Sequence, residues 1–412
     1  MKVNLYNYFD PFGGAGRATW RIFHALKKEG IDASLNIVKA MSTSDEIFIP
    51  EGKMFQVMSD VRRKVGELPL HFFKTNNYNQ HSLSFLPSQW PALINRSDAD
   101  IIQLHWVNYE MMSVEDIGQI NKPVVWRLSD MWAFAGAEYY TDEIRYREGY
   151  TKNNRPDLER GIDFNRWVWN RKKKAWKKPM HIIAPSNWMA ECVKQSALMH
   201  DWPVTFIPNA IDTDDWRPVE RILARRHLGL PEEGILLCFG AIGGAKNPRK
   251  GSDLLFSAIN YLRGEIPNLK LVVFGEKTPE KIPDIGFPIH YMGHLDEDSS
   301  LKLLYSAVNA LVIPSRLDNS PNTGVECLSC GTPVVGFNCT GLPDIITHKK
   351  NGWLAKAFDT EDMANGIKWI LNSDEEHQKS LRVSARNFAL NNFSYSVVAN
   401  QYKAVYDKIL SE

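Results

Sequence analysis

Short β-branched runs alternate with helical runs twice over along this chain, and that alternation leaves few architectures open. In the first half, residues 2–6, 33–38, 100–106, 123–128 and 181–185 read as strands. In the second half, residues 235–240, 270–275, 289–293, 310–314 and 333–337 repeat the plan. Helical stretches lie between them. In residues 17–30, Ala18, Ile22, Ala25 and Leu26 recur at helical spacing until Gly30 stops the run. Residues 252–262 and 299–307 read the same way. A strand followed each time by a covering helix returns in the same direction, so the expected sheets are parallel and buried on both faces. The class is α/β, and 412 residues fit two such domains. Residues 40–90 are the least regular part, read as loops and helices without assignable chemistry. Residues 380–410 read as helical, broken around Asn391–Ser394.

A formal net charge of +1 gives no ground for a nucleic-acid partner. The first ten residues are too polar and too interrupted for the apolar core of a signal peptide. No apolar run approaches the roughly 18 residues that would read as a membrane span. Five scattered cysteines argue against a secreted disulfide framework, so the expected compartment is the reducing cytosol. Cys327 and Cys330 form a CxxC, but neither a second pair nor a spaced His pair stands near it. Packing in a small-residue helix explains the spacing better than zinc or redox chemistry.

One stretch carries more chemistry than any other. From Ser315 the chain leaves an apolar strand, crosses a polar loop with Asp318, Asn319, Ser320 and Asn322, and enters a helix holding Thr323 and Glu326. Gly331, Pro333 and Val334 then lead into the next strand. The loop presents backbone N–H groups at a helix N-terminus, a natural seat for a phosphate. Two carboxylates eight positions apart, at Asp318 and Glu326, are costly to desolvate without a purpose, although Glu326 capping or pairing within its helix is the plainer alternative. This stretch resembles the donor-binding signature of retaining, nucleotide-sugar-dependent glycosyltransferases of family 4, which show Glu-x7-Glu followed by Gly-x-Pro-Val. Asp318 stands here where that family has its first Glu.

The resemblance implies the GT-B fold, two Rossmann-like domains with parallel sheets facing across a cleft. Its interdomain segment, Pro-Asn-Gly-x-Asp, is matched by Pro208, Asn209 and Asp212, with Ala210 for Gly. The expected division is an acceptor-side domain over 1–206, a nucleotide-sugar domain over 207–385, and a C-terminal helix over 386–412 crossing back to the first domain. Gly13, Gly14 and Gly16 read as a tight loop after the first strand, where the backbone approaches a ligand closely. The spacing is not the dinucleotide fingerprint; the family places such a loop beside the donor diphosphate. Arg249 and Lys250 stand before a helix, where paired cations are often only a solvated terminus. By resemblance Lys250 binds the diphosphate, and Arg249 replaces an Arg that the family carries where this chain has Ala241. Glu326 would accept from the nucleotide ribose. Asp318 would offset positive charge at the anomeric carbon. Asn319, Ser320, Asn322 and Thr323 would donate to sugar and diphosphate.

On the acceptor side the candidates are His105, Ser129 and Asp130. Ser129 replaces the His of the family's His-Asp-x-Trp, and a lone His such as His105 is more often structural. Residues 138–144 lack the cysteines that some relatives carry near there, so no metal site is expected at that place. Asp212-Thr-Asp214 is the nearest approach to a metal-binding Asp-x-Asp and lies in the connector. The expected cofactor list is therefore empty. Residues 166–178 carry seven cations and three tryptophans with no acid. A solvated surface helix is the plain reading; contact with anionic lipid or a phosphorylated carrier is the other.

The expected activity is retaining transfer of a sugar from a UDP- or GDP-sugar to a glycan or lipid-linked saccharide, with domain closure about residues 206–212 on donor binding. Polysaccharide biosynthesis at the inner face of a bacterial membrane is the setting implied by the resemblance. A nucleotide-sugar epimerase and a non-catalytic nucleotide-sugar-binding scaffold at a membrane remain as alternatives.

Overall fold

The computed structural model describes residues 1–11, 13–40, 46–49, 53–240, 247–280, 284–295 and 297–412, with backbone alone for 53–56. Ala241 lies outside the described residues. The chain divides into two compact units, Met1–Pro208 together with Val398–Glu412, and Asn209–Val397.

The first unit is built on β1 (Lys2–Phe9), β2 (Asp32–Lys39) and β3 (Ile47–Phe48). A ribbon of β4 (Phe73–Lys74) and β7 (Arg160–Gly161) stands apart from the sheet. β5 (Ile101–Leu104), β6 (Val124–Arg127), β8 (His181–Ala184) and β9 (Val204–Phe206) complete the unit's strands. Its sheet runs β3-β2-β1-β5-β6-β8-β9, every pairing parallel. β5, β6 and β8 are buried at every residue, which is why apolar residues dominate them without alternation, although Gln103, Arg127 and His181 are buried there too. The second unit has β10 (Ile235–Gly240), β11 (Leu269–Phe274), β12 (Ile289–Tyr291), β13 (Ala310–Ile313), β14 (Val334–Phe337) and β15 (Gly352–Ala355). They are ordered β12-β11-β10-β13-β14-β15, again all parallel. In each sheet the chain runs outward one way from the first strand and later returns to its other side. The order thus reverses between β1 and β5, and between β10 and β13. Ligands of open α/β sheets sit beyond the carboxyl ends of strands at such points.

The glycines expected as a loop, Gly13, Gly14 and Gly16, instead form the first turn of the helix Gly13–Lys28. Gly16 is required by crowding: a Cβ there would stand 2.2 Å from the carbonyl oxygen of Asp10. Residues 40–90, read as loops and helices without bounds, contain the helix Lys53–Glu67, followed by a 3-10 turn at Leu68–Phe72. β9 and β15 were also not foreseen. β9 has three residues, half of what a strand signal needs, and β15 has no β-branched residue at all.

The carboxyl-terminal helices, Glu375–Phe393 and Tyr395–Ser411, break at Ser394. The change of unit comes at Val398 rather than at 386. Ala385, Ala389 and Phe393 are buried in the second unit's core, and Ile211 N–H donates to the Phe393 carbonyl at 2.8 Å. The Arg386 guanidinium donates to the carbonyls of Trp216 (2.7 Å), Thr213 (2.7 Å) and Ser329 (2.8 Å). Beyond Val398, Tyr402 and Tyr406 are buried, and the Tyr406 hydroxyl donates to Gln103 of β5. Arg386→Leu leaves three carbonyls without their charged donor; it should lower unfolding free energy by about 3 kcal/mol in denaturant melts. An unchanged midpoint would refute the clamp.

Candidate functional site

In the second unit, β10 and β13 end side by side, and the two segments that follow are stitched together. After β10, the Asn247 side chain accepts from Arg249 N–H at 3.1 Å and starts the short 3-10 turn Pro248–Lys250. Gly251 closes that turn at φ +67, in contact with the end of β13: a Cβ would fall 2.0 Å from the Pro314 carbonyl oxygen. Only glycine meets both demands. Arg316 N–H donates to the Arg249 carbonyl (2.8 Å), and the Arg249 guanidinium donates to the Leu317 carbonyl (2.8 Å). Arg316 also forks onto both oxygens of Asp253, at 2.7 and 2.6 Å. Across this seam the Lys250 ammonium meets the Asp318 carboxylate at 2.5 Å. Burial works to raise the Asp318 pKa, but Lys250 and then Arg249 outweigh it and hold the carboxyl below its usual range.

The loop beyond Asp318 is fixed from two sides. Asp318 N–H donates to the Thr340 hydroxyl at 3.3 Å, and Gly341 N–H donates to the Asp318 carbonyl at 3.0 Å. A Cβ on Gly341 would lie 1.6 Å from the Asn319 carbonyl oxygen. The Asn209 amide donates to the Ser320 carbonyl (3.0 Å) and to the Asn322 side chain (2.9 Å). The helix Asn322–Ser329 then begins, with half-buried Thr323 in its first turn and Glu326 buried. Tyr305 donates its hydroxyl to Glu326 at 3.1 Å. The structure therefore brings Lys250, Arg249, Asp318, Asn319, Ser320, Asn322, Thr323 and Glu326 to one end of one sheet. Cys327 and Cys330 are buried thiols in the same helix; burial lifts the first well above the usual range and the second to about 12, as suits packing residues. Among the described residues no group of three or more His, Cys, Asp and Glu is placed to hold a metal.

Asn209, Tyr305, Arg316 and the Thr340-Gly341 turn were not singled out from sequence as site residues. Asn209 was visible as part of the connector motif, and Gly341 as a turn signal after β14. Tyr305 sits on a different helix, and nothing in its local sequence marks it.

In the first unit, Asp130 follows β6 and is almost fully buried. Trp132 N–H donates to one carboxylate oxygen (2.9 Å) and the Trp106 indole to the other (3.0 Å). Burial dominates and pushes its pKa up to about 6, against the hydrogen bonds and the more distant Lys172 and Arg127. Ser129 accepts from Arg127 at 3.0 Å and is half-buried. His105 is wholly enclosed: Gln103 lies 2.8 Å from its Nε2, and burial, with Arg127 nearby, keeps the ring neutral. Gly13, Gly14 and Gly16 belong to this unit and stand after β1, whereas Asp130 stands after β6.

The basic stretch 166–178 is not a uniformly solvated face. Within the helix Phe164–Ala175, Lys172 is buried and donates to the carbonyls of Trp132, Ala135 (3.1 Å) and Gly136 (2.7 Å). Trp169 and Trp176 are buried too, which leaves Trp167, Lys173, Lys174, Lys177 and Lys178 exposed.

Residues 12–215 match the family model described as Glycosyltransferase Family 4, and residues 233–373 match Glycosyl transferases group 1. A D-inositol 3-phosphate glycosyltransferase of Stackebrandtia nassauensis is 28% identical over 221 residues, 49% of this chain and 48% of that protein. A phosphatidyl-myo-inositol mannosyltransferase of Propionibacterium freudenreichii subsp. shermanii is 28% identical over 208 residues, 48% of this chain and 49% of that protein. The chain spans about half the length of the curated relatives it matches. Among solved structures, sucrose-phosphate synthase from Thermosynechococcus elongatus superposes with a TM-score of 0.66 at 16% identity, covering 100% of this chain and 99% of that one. Anabaena HepE in complex with UDP and glucose gives 0.64 at 15% identity, covering 99% and 100%. At such identity the likeness is one of fold, and the fold is GT-B.

The raised pKa of Asp130 has a stability consequence. A carboxyl that binds its proton more tightly when folded costs stability as pH rises from about 4 to about 6, on the order of 3 kcal/mol in all. Asp130→Asn should flatten that part of the stability–pH curve relative to the unaltered chain. Parallel curves from pH 4 to pH 7 would show that Asp130 ionises normally.

Proposed function

The chain belongs to the family 4 and group 1 glycosyltransferases, and from that premise we propose that it moves a sugar from UDP or GDP to a glycan or lipid-linked saccharide, with retention at the anomeric carbon. The Lys250–Asp318 pair at the β10/β13 reversal carries this reading. In the transfer, the bond from the anomeric carbon to the diphosphate oxygen breaks, and a bond to an acceptor hydroxyl oxygen forms on the same face. The hydroxyl proton passes to the departing phosphate. Negative charge gathers on the diphosphate and positive charge on the sugar ring. Lys250, held with its ammonium forward by Asp318, meets the first; Asp318 meets the second. Arg249 and the N-terminus of the helix Asn322–Ser329 add fixed positive potential, so no step in this reading needs a metal. Glu326, oriented by Tyr305, accepts from the ribose hydroxyls.

Asp130 is the acceptor-side group in this reading. With a pKa of about 6 it is ionised at neutral pH and can receive an acceptor hydroxyl hydrogen bond. Ser129 stands beside it, and His105, bonded to Gln103, stiffens the end of β5 instead of reaching substrate. Relatives named for D-inositol 3-phosphate and phosphatidyl-myo-inositol support polyhydroxylated acceptors as the class to try first.

A thermal-shift panel of UDP-, GDP- and ADP-sugars should pick out one nucleotide, and donor turnover should require acceptor. Nucleotide-sugar conversion without acceptor and without nucleotide release would point to an epimerase. Lys250→Ala should lower kcat/KM about 30- to 1,000-fold, equal to roughly 2–4 kcal/mol of lost transition-state stabilisation. Unimpaired turnover in that variant would remove Lys250 from the mechanism. Asp130 should appear as an acidic limb near pH 6 in the kcat/KM profile, absent in Asp130→Asn.

A further inference from the structure

A helix that packs on a core hides its apolar stripe; the helix Lys53–Glu67 shows one to solvent. Val57, Val61 and Val65 recur one turn apart on it and are all exposed, and Met58 beside them is too. The ridge continues through Leu68 into the 3-10 turn and ends at Phe72. Relative exposures of 62% at Val57, 58% at Leu68 and 70% at Phe72 are far above those of ordinary packed apolar side chains. Single exposed apolar residues need no explanation, but a continuous row at helical spacing does.

The row widens sideways at its carboxyl end. Ile162 N–H donates to the Phe72 carbonyl at 3.2 Å, which sets a second exposed aliphatic side chain beside Phe72. Gly161 permits this closeness, since a Cβ there would fall 2.0 Å from the same carbonyl oxygen. Exposed Trp167 lies next along the surface, edge-on to Phe85 at 6.1 Å.

The charges bordering this row are informative. In the β4–β7 ribbon, Lys74 pairs directly with Arg160, and both are exposed. Like charges placed opposite across strands repel, so the ribbon carries a cost that an anionic neighbour would relieve. Lys64 is exposed on the helix itself, and Lys173 and Lys174 follow Trp167. Among the described residues, exposed acids there include Glu67, Asp157 and Glu115, the last paired with Arg171 over the Trp167 ring.

We propose that the ridge Val57, Val61, Val65, Leu68 and Phe72, with Ile162 beside it and Lys74, Arg160 and Lys64 around it, docks on an anionic lipid bilayer. The apolar row enters the boundary between headgroups and acyl chains while the cations stay among the anionic headgroups. A second protein copy does not suit the face, because it would set Lys74 and Arg160 against their own counterparts. The proposal stands apart from the transferase reading: it needs only the surface.

Sedimentation with vesicles tests it. The full chain should bind vesicles of phosphatidylcholine with about one-third phosphatidylglycerol, and bind pure phosphatidylcholine at least tenfold more weakly. Adding 0.5 M salt, roughly a 4–5 Å screening length, should weaken the anionic-vesicle binding. Leu68→Ser with Phe72→Ser should abolish the apolar part, and Lys74→Gln with Arg160→Gln the charge preference, each lowering partition at least tenfold. All four side chains are exposed, and an unchanged melting temperature will confirm that the variants fold. Absence of binding to anionic vesicles would overturn the proposal. So would binding that both variants retain, or concentration-dependent dimers that Phe72→Ser dissolves.

Discussion

The contact between Lys250 and Asp318 ties together the two segments that follow β10 and β13 in the second unit. Taking either charge out of water alone is expensive, and a pair repays that cost only when its geometry is held by other bonds. Those bonds are present on both sides. Gly251 presses the Lys250 turn against the end of β13, Arg249 and Arg316 exchange backbone contacts across the seam, and Gly341 supports the Asp318 loop from below. The pair is thus the product of two adjacent strand ends and of two positions, Gly251 and Gly341, where a Cβ would collide with a backbone carbonyl oxygen. Because the Asp318 pKa lies below its ordinary value, the pair contributes stability above the unfolded carboxyl range. That contribution disappears only as pH falls through the still lower folded pKa.

Such an arrangement has a mechanistic corollary. In the proposed transfer, the ion pair with Asp318 holds the Lys250 ammonium in place beforehand, so a diphosphate arriving beside it would not have to order a loose side chain. Fixed dipoles and cations that need no rearrangement are the most effective way to stabilise a charge that grows during reaction. The same logic accounts for Glu326: buried in its helix and hydrogen-bonded by Tyr305, it is positioned before any ligand arrives.

Much of this was legible in the chain. Buried parallel strands announce themselves as dense apolar runs, so β5, β6, β8, β10, β11, β13 and β14 were found within a residue or two. The polar loop and its carboxylates were legible because nothing structural requires Asp318 and Glu326 where an apolar core is being built. What escaped was long-range or shape-dependent. Asn209 reaches the loop through a contact spanning more than a hundred residues. The first-turn geometry of Gly13 to Gly16 depends on the Asp10 carbonyl, and glycine spacing alone does not distinguish a loop from a crowded helix start. The basic stretch misled for a related reason. Charge composition cannot say which lysine turns inward, and Lys172 does so because three carbonyls, those of Trp132, Ala135 and Gly136, converge on one point.

Lys172 also explains why the two units treat their carboxylates differently. Asp318 faces an ammonium and its pKa falls; Asp130 has a buried ammonium on a neighbouring helix, yet its pKa rises. Lys172 donates to three carbonyls of the segment after Asp130, not to the Asp130 oxygens, and burial pushes its own pKa well down while Asp130 and Glu138 pull it up. Asp130 is left with two neutral N–H donors, from Trp106 and Trp132, which orient its oxygens but offset only part of the desolvation. A carboxylate held in a salt bridge has its oxygens occupied and its pKa lowered, whereas Asp130, with a pKa of about 6, gains and loses its own proton close to neutral pH. By spending its lysine on the backbone, the first unit keeps Asp130 basic and its loop rigid at once, a combination that a direct ion pair would forfeit.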